Sequence, residues 1–180
     1  MDFEFLNQYE STLLQNMMRA ASVETLLETD DLTKLWDRIA PEYMVDAVPN
    51  IAQYPLVSIA WAGYVGMAFA HLWDKDVHLL DDVDGLSVYA RLRSARGFDE
   101  MDEHVVEDVL GFLLTSSTAL RIDDTMRSLS RVGLDSIRHE AIEPQTEMAF
   151  HVYARTVRTM FRLGVSLELA RLKYHLTRVQ

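Results

Sequence analysis

The chain contains no cysteine, only four prolines and seven glycines in 180 residues, and just 17 Lys plus Arg against 28 Asp plus Glu. The first absence excludes disulfides, thiolate metal sites and cysteine nucleophiles together. The scarcity of glycine and proline excludes a collagen-like or linker-rich chain. The deficit of positive charge leaves a formal net charge of −11, which disfavours nucleic acid unless basic residues are segregated on one face. Long alternating runs of β-branched residues are also missing, so no strand is expected. Absent too are Gly-x-Ser-x-Gly, a glycine-rich phosphate loop, His-Glu-x2-His and a dinucleotide fingerprint. These absences leave the catalytic residues, if there are any, unidentified; no metal ligand set or cofactor is expected, and the balance leans against an enzyme without excluding one.

What is present is an ordinary globular composition, with 49% hydrophobic and 25% charged residues. That length and balance fit a single domain burying roughly 70% of the surface its unfolded chain exposes. The start, Met1-Asp2-Phe3-Glu4-Phe5, lacks the cationic and apolar regions of a secretory signal, and a cytoplasmic protein is expected.

Helical spacing dominates the pattern. Asp2 caps a first helix to about Ala21, with Leu6, Tyr9, Leu13, Met17 and Ala20 on one face. Ser22 opens a short second helix through Leu27, and Asp30 or Asp31 a third bearing Leu32, Leu35, Trp36 and Ile39. Pro41 predicts a kink or restart, followed by inward Tyr43, Met44 and Val48. A central helix at residues 56–73 comes next. Tyr54 to Trp73 is twenty residues without a charge, the length of a bilayer span. Its serine, glycines, alanines and His71, and the lack of a flanking Lys/Arg cluster, favour a helix buried in a bundle over a membrane span.

Further helices are expected at about 85–96, and from Asp99 with Val105, Val106, Val109, Phe112 and Leu113 buried. Another should run from Asp123 or Asp124 to a stop at Gly133, with a brief turn at 135–141. The last should run from Pro144 nearly to the end, broken at Gly164. The hydroxyl run Thr115 to Thr118 reads as a polar break. The fold class is thus all-α, a single-domain bundle of about six to eight helices around residues 56–73.

Two Glu-x3-His pairs, Glu100 with His104 and Glu147 with His151, place both side chains on one helix face. The wheels turn both pairs to solvent, away from each other, so no metal site is predicted. Charge is more informative. Residues 151–180 carry plus 5 and the preceding 150 carry minus 16. Arg155, Arg158 and Arg162 share one helix face, and Arg171, His175 and Arg178 another.

Two readings follow. The cationic segment neutralises the acidic stretches 74–84 and 99–108 of its own chain, or it docks an acidic partner, a phosphate-bearing ligand or a second copy. The favoured function is a protein-interaction or scaffold module, self-associating or homodimeric through these basic C-terminal helices. Nucleic acid and membrane are not expected partners. The alternative is a small-molecule-binding or metal-dependent enzyme with a pocket beside the central helix, where Gly63 and Gly66 leave room and Trp61, Tyr64, His71 and Trp73 line it.

Overall fold

The computed structural model describes residues 1–80, 84–174 and 178–179. Among these residues there are seven α-helices and two strands of two residues each, so the fold is an all-α bundle. Helix α1 spans Phe3–Ala20, α2 Asp30–Ala47, α3 Pro55–Lys75, α4 Asp84–Ala95, α5 Met101–Glu103, α6 Ser117–His139 and α7 Glu147–Arg171. Four of them begin on the same device. Asp2, Thr29, Ser116 and Thr146 each accept from the backbone N–H three residues on, at 2.9–3.1 Å, satisfying a donor the helix itself leaves open.

Helix α3 is the buried axis. It is long and apolar enough to cross a membrane by length and composition, with a mean hydropathy of 1.4, and 78% of that stretch is buried inside the protein. Helix α7 lies along it in the same direction: Tyr153 donates to the Ser58 carbonyl near one end, and His71 meets Glu168 near the other. Helices α6 and α2 close other sides of α3. The glycines predicted to leave room do the opposite. A Cβ on Gly66 would strike the Phe161 carbonyl oxygen, and one on Gly164 the Gly63 carbonyl oxygen, so the two backbones nearly touch. Gly164 therefore does not break α7. It lets that helix run unbroken against α3.

Several sequence expectations are corrected. Residues 22–27 form no helix, because Ser22 adopts a left-handed φ of 55° and the extended chain then buries Leu26 and Leu27, with Leu27 N–H donating to Ser166 Oγ at 2.9 Å. Pro41 does not restart the helix, since α2 runs through it from Asp30 to Ala47; it sits on the exposed face, where the carbonyl it leaves unpaired can meet water, and Val48 is exposed rather than inward. Helix α6 begins at Ser117 and continues through Gly133, whose missing side chain admits Met17 and Thr156.

The helix expected from Asp99 is a three-residue α5 that widens into a π-helix at His104–Val109. Leu110 N–H bonds the Val105 carbonyl at 2.8 Å, five residues back. Val105, Val106 and Leu110 are buried, while Leu113, which follows the end of this helix and the left-handed Gly111 (φ 82°), is 71% exposed. Two short strands, β1 at Glu28–Thr29 and β2 at Arg178–Val179, pair in parallel although none was expected. Helix α7 ends at Arg171, and Lys173 follows with a left-handed φ of 71°. Arg171 and Arg178 therefore do not share a helix face; His175 lies outside the described residues.

Candidate functional site

Helices α1 and α7 bring together a cluster of charged side chains. At positions 155, 158 and 162 on α7, three guanidinium groups recur at helical spacing, and α1 opposes them with Asn7, Glu10, Ser11 and Leu14 at the same spacing. These seven residues line an open cleft of about 330 Å³. At its floor lies Glu10, only 8% exposed. Arg155 Nη1 reaches Glu10 Oε1 at 3.2 Å, Arg162 Nη1 reaches Oε2 at 3.3 Å, and Arg158 Nε stops 3.7 Å from Oε2, outside hydrogen-bond range. Arg155 also donates to Asn7 at 2.9 Å, and Arg162 to Glu28 at 3.0 Å.

Three positive charges thus share two carboxylates, and the group keeps one unit of excess positive charge. Its contacts with Glu10 are long. Charge-assisted pairs usually close to about 2.7–2.9 Å, and Arg171 with Glu168 does so at 2.5 and 2.7 Å. A guanidinium has five donors, so most of those on the three arginines remain available to an anion.

Neutralisation within the chain is therefore partial, and the partners differ from those expected. Glu10 and Glu28 take the arginines; the stretch at 99–108 is engaged instead by Arg96, which bonds Glu107 at 2.6 Å and Asp108 at 3.1 Å. In the other acidic stretch Asp74 accepts from Tyr174 at 2.6 Å; residues 81–83 of it lie outside the described residues. Arg171 is bound to Glu168 and stacks over the Phe112 ring at 5.0 Å. Arg178 contributes its backbone to β2, and its side chain is outside the described set.

The four residues expected to line a pocket beside α3 form two separate groups, since Trp61 and Trp73 are twelve residues apart, roughly 18 Å along a helix. Trp61 donates to the Phe98 carbonyl and packs edge-on against Tyr64, whose hydroxyl bonds Asp123 at 3.2 Å. Trp73 donates to Asp31 at 2.6 Å. His71 Nδ1 lies 3.0 Å from Glu168, a fully buried carboxylate already held by Arg171. That pair could orient an imidazole, yet Gly66 on the same helix faces α7 backbone, and Gly63 faces the Met126 and Met160 side chains, rather than a void.

Beside Tyr64, burial pushes Asp102 up to about 6, helped by the neighbouring carboxylates of Glu103 and Asp123. The folded form then holds this proton more tightly than the unfolded chain between about pH 4 and 6, so its contribution to stability falls as pH rises through that window. Asp102→Asn is expected to raise the melting temperature at about pH 7.5 and to lose the advantage near pH 4. Melts followed by circular dichroism at both pH values check this.

His104 pairs with Asp108 at 2.8 Å rather than with Glu100, and His151 sits 3.8 Å from Glu147 at the surface. Among the described residues, no group of three or more His, Asp or Glu side chains is placed to hold a metal ion.

Comparison with known proteins adds nothing to this geometry. The chain matches no family model, no curated protein and no solved structure. Glu10 is the member of this cluster that the sequence pattern does not single out, although it falls at the spacing of the apolar stripe, four after Leu6 and three before Leu13. A carboxylate there signals a buried cationic partner.

Proposed function

We propose that this chain is a protein-interaction module whose α1–α7 face docks acidic side chains of a protein partner. The observation that carries the proposal is the sharing of Glu10 by three arginines that line an open cleft, with one positive charge left over. Arg158, 38% exposed, is the side chain best placed to reach outward. Self-association is the special case in which a second copy supplies the carboxylates, as from the exposed Asp99 and Glu100.

Fluorescence anisotropy with a labelled glutamate-rich peptide tests the reading. Binding should weaken as salt is raised, and Arg158→Glu should weaken it about tenfold or more. Equal binding by the variant, with its circular dichroism spectrum intact, would count against this face.

A further inference from the structure

Three arginines on one face ordinarily suggest a phosphate site, because a phosphorylated side chain brings close to two negative charges and three acceptor oxygens. The α1–α7 cleft differs in one respect: it contains its own carboxylate. Glu10 is fixed on α1, lines the cleft, and contacts all three guanidinium groups. Glu28 holds Arg162 from the other side at 3.0 Å. Against Arg155, Arg158 and Arg162, these two carboxylates leave a single positive charge.

We infer that the cleft is a selective site for a singly charged carboxylate, an Asp or Glu side chain of a protein partner, and that Glu10 acts as a charge filter against phosphomonoesters. One carboxylate neutralises the excess and finds guanidinium donors that Glu10 holds only loosely. A phosphomonoester overshoots by almost one charge. It must also sit against Glu10, where like charges repel in a partly desolvated site. Arg158 is the fork that receives the ligand, since its Nε stands 3.7 Å from Glu10 and forms no hydrogen bond with it.

This inference rests on the docking face proposed above, and the test separates the two. Three labelled peptides identical except for Glu, phosphoserine or Ser at one position are titrated into the wild-type chain, Glu10→Gln and Glu28→Gln. The wild type should bind the glutamate peptide more tightly than the phosphoserine peptide. Glu10→Gln adds one positive charge and keeps a hydrogen-bonding side chain. It should reverse the order, with phosphoserine favoured about tenfold. Glu28→Gln, at a more exposed carboxylate, should shift the ratio in the same direction and serves if Glu10→Gln fails to fold.

A wild-type preference for phosphoserine, or a ratio that neither variant moves, overturns the charge filter while leaving the docking face standing. If Arg158→Glu binds all three peptides as the wild type does, the docking face itself falls, and the filter with it.

Discussion

Gly164→Ala is expected to destabilise the chain by about 3 kcal/mol or more, the upper end of the range for overpacked cores. Alanine is the better helix former by roughly 1 kcal/mol, so local propensity alone would predict the opposite sign. The clash decides it. The added Cβ would meet the Gly63 carbonyl and Cα, backbone atoms that cannot rotate away as a side chain can. To make room, α3 and α7 must separate, and the packing of Met126 and Met160 against Gly63 opens with them.

Gly133→Ala is the control. Its Cβ would meet side-chain atoms rather than backbone, Thr156 Cγ2 at 3.0 Å, the mobile Met17 Cε at 3.2 Å and Ile59 Cγ2 at 3.5 Å, so a smaller loss is expected. Urea unfolding of both variants by circular dichroism gives the comparison. Equal stability of Gly164→Ala and wild type would show that the two helices are not in backbone contact.

The second large effect is expected at Glu168, which is fully buried and holds Arg171 through both carboxylate oxygens and His71 through one. Replacing it by leucine leaves a guanidinium without its counter-charge. Breaking a buried pair from one side typically costs about 3–5 kcal/mol, and the partial exposure of Arg171 should reduce this to about 2–3. The double variant Glu168→Leu with Arg171→Met removes both charges and keeps an unbranched side chain near Phe112, so it should be more stable than Glu168→Leu alone. Additive losses in the double-mutant cycle would mean that the pair is not coupled. The variant also isolates His71, because it loses the carboxylate while its place on α3 is unchanged.

Much of the fold was legible because its signals are local. The Asp2 cap, the stripe from Leu6 to Met17 and the uncharged run before Trp73 each lie within a few turns of one helix, and the structure keeps all three. Failures arose where one residue type serves two ends. The polar run at 115–118 does mark a break between helices, yet the next helix starts at Ser117 rather than Asp123 or Asp124, because Ser116 also caps α6. An α-helical period puts Leu113 in the core only if the helix reaches it, whereas the helix ends at Val109 and Gly111 then turns the chain with a left-handed φ. Gly63 and Gly66 are alike in a sequence whether they border a void or another backbone.

The site was half legible. The shared face of Arg155, Arg158 and Arg162 follows from helical spacing alone. Their counter-charge does not, because Glu10 is about 145 residues away in sequence and local periodicity carries no record of that pairing. The two acidic runs drew attention through their density, while the carboxylate that matters stands alone among apolar residues of α1.

The docking face is tested most directly by the arginine side chains themselves. Nitrogen-15 NMR of the Nε–Hε groups should show Arg158 and its neighbours Arg155 and Arg162 shifting together and saturably as the glutamate peptide is added, while Arg171, held by Glu168, stays in place. Shifts spread evenly over all the arginines, or none at these three, would contradict a binding site between α1 and α7.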